Sequence, residues 1–293
     1  MNSKVASRIF DGIIYIVITF AVLACLLPFL HVAALSLSSN DAVITQKVTI
    51  FPVDFNLEAY SRVLTDKAML RSLWVTIEIT VLFTLIGMFL TICCAYPLTK
   101  TRLKGRKFLS LLVLFTMYFS GGIIPDYLLM NKLHLLNTKW ALILPLCFSP
   151  FNMIIMKTFF SSNIPDSIEE SAKLDGCSDI GILIKMVLPL SLPILATLSL
   201  FYAVGRWNAF QDALFYITKQ NLYPLQLKLN QLVSASASTD ANIGQEAGGS
   251  SVQLVPEVLK AACIMFATIP ILLVYPWLQK YFVSGVMVGA VKG

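Results

Sequence analysis

The chain has 293 residues, 57% of them hydrophobic and 13% charged, with 22 Lys and Arg against 16 Asp and Glu for a net charge of +6. Soluble domains carry about 25% charged residues, so the composition excludes an ordinary water-soluble domain and points to a membrane protein crossing the bilayer several times. The positive excess follows from the loops that flank membrane spans and does not argue for nucleic acid.

Apolar stretches near the roughly 20 residues needed to cross a bilayer run over 13–37, 72–95, 108–130, 140–160, 188–209 and 258–278. They predict six transmembrane helices in a single membrane domain over 1–293. Lys4 and Arg8 precede the first stretch and Ala33-Ala34 follow it, as in a secretory signal. The apolar run is longer than a signal core, so the N-terminus is expected to stay. Lys100, Arg102, Lys104, Arg106 and Lys107 lie between the second and third stretches with no acid among them. By the positive-inside rule this loop and the N-terminus face the cytoplasm. The first outer loop balances Lys47, Arg62, Lys67 and Arg71 against Asp41, Asp54, Glu58 and Asp66. Six spans then put both termini inside.

Pro125, Pro145, Pro150, Pro189, Pro193 and Pro270 fall inside these stretches, so kinked helices are expected. The outer loop 218–255 is long for a connection without structure of its own, and its Ser-, Ala- and Gly-rich stretch from Ser234 to Ser251 reads as a flexible segment. Cys25, Cys93, Cys94, Cys147 and Cys263 lie in the predicted spans and Cys177 in a loop, with no C-x-x-C pair. They read as small buried side chains, and the isolated His31 and His134 give no metal site.

The polar loop 161–187 is the most informative segment. Pro165 suits the first turn of a helix, and Asp166, Glu169 and Glu170 favour the same end through the helix dipole. Gly176 suits a left-handed stop, and Ser178 with Asp179 can cap a second helix running on to Pro189. On the first helix Ile164, Ile168 and Ala172 recur every four residues as an apolar stripe, while Asp166, Glu169 and Lys173 are expected to face away. An interfacial helix lying on lipid would be rich in Lys and Arg. From Lys157 to Lys185 there are instead three basic and five acidic residues, which anionic lipid would repel. A protein partner is the better reading.

The run Glu170-Ser171-Ala172, three residues, Gly176, nine residues, then Met186-Val187-Leu188-Pro189 resembles the EAA loop of ABC importer permeases. Ser171 replaces the second residue of that pattern and Met186 its isoleucine. The tail 279–293, Gln279 to Gly285 followed by Gly289, Ala290, Val291, Lys292 and Gly293, resembles the C-terminus of carbohydrate permeases of the maltose-importer type. Leu27-Pro28-Phe29, Gly121-Gly122-Ile123-Ile124-Pro125 and Arg206-Trp207-Asn208 look like the branch that imports oligosaccharides from polysaccharides, alginate included. The resemblance implies an all-α, type I ABC importer permease in a bacterial cell membrane. Its partners would be a second, related permease, two ATP-binding cassette subunits and an extracellular solute-binding protein. Glu169, Glu170, Ala172, Asp175, Gly176, Leu188 and Pro189 would couple to the ATPase, and Gly289 to Gly293 would reach the interface between the ATPases. The chain has no G-x-x-x-x-G-K-[ST] phosphate loop, so it is not expected to be an enzyme, and ATP and magnesium would sit in the partner subunits.

For the solute, ionisable and aromatic groups in or near spans are candidates: Glu78 in the second, and Arg206, Trp207, Asn208 and Gln211, with Asp212, at the end of the fifth. An ion pair for Glu78 and an interfacial belt for the others are the competing readings. A permease for a non-sugar solute, an ion-coupled secondary transporter and a membrane scaffold that only docks a partner also stay open at this level.

Overall fold

The structure is a computed structural model that describes residues 3–239 and 255–290, and these are helical, with no strand among them. The chain divides into two compact units, Met1–Leu70 with Lys228–Ile269, and Arg71–Leu227 with Pro270–Gly293.

In the first unit, helix α1 (Ser3–Ser36) is apolar and exposed over most of its length, as a lipid-facing span must be. Its last turn is tied into the loop that follows. Ser36 Oγ donates to the Ala33 carbonyl and hydrogen-bonds the Tyr60 hydroxyl at 2.8 Å, while Ser38 Oγ donates to Ala34 O at 2.7 Å and accepts from Val53 N at 3.1 Å. Two short helices follow, α2 (Asn40–Ile44), capped by Ser39, and α3 (Glu58–Thr65).

Helix α4 (Lys67–Thr99) begins in the first unit and runs into the second. The second unit then continues with α5 (Arg106–Tyr118), α6 (Ile123–Lys132), α7 (Trp140–Ile143), α8 (Pro150–Asn163), α9 (Asp166–Leu174), α10 (Asp179–Ile182), a π-turn Leu183–Val187, α11 (Leu188–Leu190), α12 (Leu192–Asn208) and α13 (Gln211–Tyr216). Its core gathers Phe83, Ala95, Tyr96 and Leu98 of α4, Met153, Met156 and Phe160 of α8, Ala172 of α9, and Leu198 and Tyr202 of α12. Gly87 lets these elements close up, because a Cβ there would come within 2.5 Å of the Cys147 carbonyl oxygen and 2.9 Å of the Tyr202 ring. The Tyr202 hydroxyl hydrogen-bonds Thr91 Oγ1 at 2.7 Å and accepts from Ser149 N at 3.0 Å, so the buried Tyr202 and Thr91 hydroxyls and the half-buried Ser149 N–H are satisfied at one point.

The predicted spans are partly redrawn. Residues 10–36, 67–99 and 256–274 are single helices long and apolar enough to cross a membrane. The third predicted span is instead α5 plus α6, bent by 109°, because Gly122 takes φ +89 and the chain between Tyr118 and Ile123 leaves the helix. The fifth predicted span, 188–209, is bent by 83° at Ser191, where the segment Asp179–Leu190 meets Leu192–Asn208. Pro193 lacks an N–H and its ring disfavours a straight helix past the Pro189 carbonyl; the π-turn lies just before Pro189, where the same ring clash would fall one turn earlier. The fourth predicted span is split into α7 and α8 by residues 144–149, which carry Pro145 and end at Pro150. At 14 residues α8 is about 21 Å long, short of the roughly 30 Å hydrocarbon layer.

Helix α14 (Leu225–Thr239) occupies the front of the loop 218–255, so the part of the Ser234–Ser251 stretch up to Thr239 is helical rather than loop, and the rest lies outside the described residues. Helix α15 (Pro256–Ala290) continues through Pro270 and Pro276 and carries Gly289 and Ala290 in its final turn. Val291, Lys292 and Gly293 lie outside the described residues.

Candidate functional site

The hairpin α9–turn–α10 forms where its residues require it. Pro165 precedes the helix as its N-cap, one position earlier than expected, with φ −63 and ψ 140. Gly176 adopts φ +81, and the chain closes with Cys177 N donating to Ala172 O at 2.9 Å and Gly176 N donating to Lys173 O at 3.0 Å. This pair of bonds is the Schellman stop that a left-handed glycine permits. Ser178 Oγ then accepts from Gly181 N at 3.2 Å and starts α10.

One face of α9 is built into the core of the second unit and the other is open. Ile164 and Ala172 are buried with Ile182 and Val187 of the returning segment. Glu170, Lys173, Asp175 and Gly176 are exposed, and Leu174 is 90% exposed.

Glu169 corrects the sequence reading. It does not face away but is 8% exposed and forms an ion pair with Lys100, the residue that follows α4. Positions 169 and 172 are three apart and share a helix face, so the carboxylate points inward with Ala172. The pair lines a cavity of about 310 Å³ together with Tyr96, Thr99, Arg106, Phe160 and Val187, and the Lys100 ammonium also lies 4.1 Å from the centre of the Tyr96 ring. A second, exposed pair joins Arg102 to Asp179, and Lys173 approaches the same carboxylate at 3.6 Å. The hydrogen bond from Arg102 holds the Asp179 carboxyl below its ordinary range, aided by the positive charges of Arg102 and Lys173. The loop after α4, read from sequence only as a topology signal, thus supplies cations to both arms of the hairpin. Leu188 and Pro189 stand at the start of α11, where the π-turn ends.

The residues proposed for the solute fall into two groups. Glu78 pairs with Lys139 at 2.5 Å, each side chain about one-third exposed. Arg206 is 4% exposed, forms an ion pair with Asp212, donates to Leu142 O at 2.9 Å and stacks 5.8 Å from the Phe83 ring. Lys139 and Leu142 belong to the N-cap and body of α7, so both contacts hold that short helix. Trp207 is also buried, whereas Asn208 and Gln211 are exposed, Asn208 donating to Val204 O at 2.9 Å. Asn137, which sequence reading passed over, takes φ +60, and its Oδ1 accepts from Thr218 N, Thr218 Oγ1 and Lys219 N at 2.6 to 3.1 Å. A lone Asn between polar neighbours gives no sequence signal for such a staple.

A permease protein named for polygalacturonan/rhamnogalacturonan transport in Bacillus subtilis (strain 168), YtcP, is 45% identical over 98% of this chain and 99% of its own length. Protein LplC of the same organism is 45% identical over 100% of this chain and 98% of its own. Among solved structures, a chain of a bacterial ABC transporter involved in import of the acidic polysaccharide alginate superposes with TM-score 0.85 and 34% identity, covering 96% of this chain and 99% of that one. A chain from an alginate ABC transporter in complex with its alginate pentasaccharide-bound periplasmic protein matches at TM-score 0.61 with 14% identity, a likeness of fold. The binding-protein-dependent transport system inner membrane component family matches residues 1–288, and with these relatives end to end the chain belongs to that family: it is a membrane-embedded transport permease component with the ABC importer permease fold.

Proposed function

We propose that this chain is one permease subunit of an ATP-driven importer that takes oligosaccharides released from an acidic polysaccharide into a bacterial cell. It works beside a second, related permease in the inner membrane, fed by an extracellular binding protein. The observation that carries the reading is the hairpin itself. An exposed face with Glu170 and Leu174 stands on a face fixed into the core through Ile164, Ala172 and the Glu169–Lys100 pair. A push on the open side therefore moves α4 and α8 with it. The ATPases that push are separate chains, because this one has no phosphate loop, and ATP with magnesium belongs to them. By the resemblance of the tail sequence, residues 289–293 are assigned to contacts with those ATPases. The sugar class is supported by the relatives named for polygalacturonan/rhamnogalacturonan and alginate transport. Along the solute path Asn208 and Gln211 offer exposed amides, while Glu78 and Arg206 are engaged in ion pairs with Lys139 and Asp212 and Trp207 is buried.

The test is uptake by proteoliposomes holding the full assembly and its binding protein, with labelled uronic and neutral oligosaccharides compared. Uptake of the uronic sugar that requires ATP inside the vesicle is the expected result. Accumulation by this chain alone, or uptake driven by an ion gradient with ATP absent, would overturn the proposal.

A further inference from the structure

A cleft of about 430 Å³ between α5 and α8 holds three cations: Arg106 and Lys107 on the first turn of α5, and Lys157 on α8. Lys157 donates to Ser110 Oγ at 2.9 Å, and Arg106 donates to Thr99 O at 3.1 Å. Among the described residues no Asp or Glu lies within ion-pair distance of any of the three. The nearest cavity behind Arg106 does hold Glu169, but that carboxylate is committed to Lys100. The rest of the cleft is lined by Leu98, Leu111 and Leu114, with the hydroxyl side chains of Ser110 and Ser161.

Position sharpens the point. Lys157 lies six residues before the end of α8, about 9 Å along the axis at a rise of about 1.5 Å per residue. A Lys set back this far from a helix end, beside an apolar surface, is favoured when an anion meets it. The neighbouring face of α5 is apolar and exposed, with Phe108, Leu111, Leu112 and Phe115 turned outward, so the cleft opens beside a surface suited to acyl chains. We propose that this cleft binds an anionic phospholipid, its phosphate drawn to Arg106, Lys107 and Lys157 and an acyl chain lying along Leu98, Leu111 and Leu114. Basic clefts between membrane helices recognise such headgroups, and the apolar wall distinguishes a lipid from free phosphate.

The delipidated full assembly is titrated with phosphatidylglycerol and with phosphatidylcholine, and retained lipid is counted by native mass spectrometry. The wild type retains phosphatidylglycerol preferentially. Lys157→Gln lowers that affinity about fivefold, the effect of one cation beside an anionic headgroup, and leaves phosphatidylcholine retention unchanged. Should Lys157→Gln fail to fold, Leu114→Trp fills the groove with all three cations kept, and loss of phosphatidylglycerol there carries the same weight. Lys132→Gln, outside the cleft, has no effect. Equal retention of the two lipids, wild-type retention in both cleft variants, an equal loss with Lys132→Gln, or displacement of the lipid by inorganic phosphate would each overturn the assignment.

Discussion

Removing one member of the Glu169–Lys100 pair tests whether α9 is fastened to the end of α4 or merely rests there. The Lys100 and Glu169 side chains are 15% and 11% exposed, and breaking a buried pair by deleting one partner costs about 3–5 kcal/mol, since the other charge is stranded. Residual solvent places this site at the lower end, about 3 kcal/mol for Glu169→Leu. Lys100→Met strands the carboxylate and also gives up the contact with the Tyr96 ring, so its cost is similar. The double variant places Leu and Met among Tyr96, Phe160 and Val187, and an apolar replacement of both charges is close to neutral. A double-mutant cycle on reversible unfolding in mixed micelles should therefore give a coupling of at least about 2 kcal/mol. Costs that add, with the double variant as weak as the two singles together, would refute the claim that this pair fastens the hairpin.

Glu170→Lys changes an exposed face of α9, so membrane insertion and stability should hold within about 0.5 kcal/mol while transport-coupled ATP hydrolysis is lost; coupling at the wild-type level would count against docking through this face. Gly87→Ala should destabilise the second unit by about 1–3 kcal/mol, because its Cβ meets the Cys147 backbone carbonyl, which is not free to swing aside; a thermal unfolding profile like the wild type would contradict the close packing. Tyr202→Phe strands the Thr91 hydroxyl and the Ser149 N–H, a loss of about 1–3 kcal/mol, checked by the same unfolding assay.

The local signals of the hairpin were legible in sequence because each acts within a few residues. Gly176 stops α9 by its own positive φ, and Ser178 caps α10 from three residues away. What escaped depends on distance or on geometry outside the pattern. Glu169 was assigned to the wrong face because an apolar stripe counted at intervals of four ignores its three-residue relation to Ala172. Its partner Lys100 lies 69 residues earlier, in a run whose charge had already been explained by topology. In the fourth apolar stretch Pro145 and Pro150 signal a kink, but continuous hydropathy over 140–160 hides that they end one helix and start another. In α14, Leu225, Leu227 and Leu229 alternate and carry no helical periodicity, yet all three are buried. Packing there overrides the pattern.

The way the hairpin is anchored bears on how force enters the bundle. An applied load moves a helix only if the helix does not peel away first. Along α9 and its return, Ile164, Ile182 and Val187 are buried against Tyr96, Leu98 and Phe160, and large apolar side chains contribute roughly 1.5–3 kcal/mol each when fully buried. With the Glu169–Lys100 pair added, the seat is worth several kcal/mol, against roughly 0.6 kcal/mol of thermal energy. The Arg102–Asp179 pair is exposed and adds little to that total; its effect is directional, fixing α10 to the same loop that holds α9. The softest point on the path is then the chain beyond the seat, at Ser191, where two prolines remove backbone donors and the direction changes by 83°. A load on α9 should accordingly move the ends of α4 and α8 as one body with the hairpin and be absorbed as a change of angle between α11 and α12, which is where a spin-label pair across Ser191 should record the largest nucleotide-dependent distance change. A larger change between labels on α9 and the end of α4 would place the compliance in the seat instead and remove the mechanical argument.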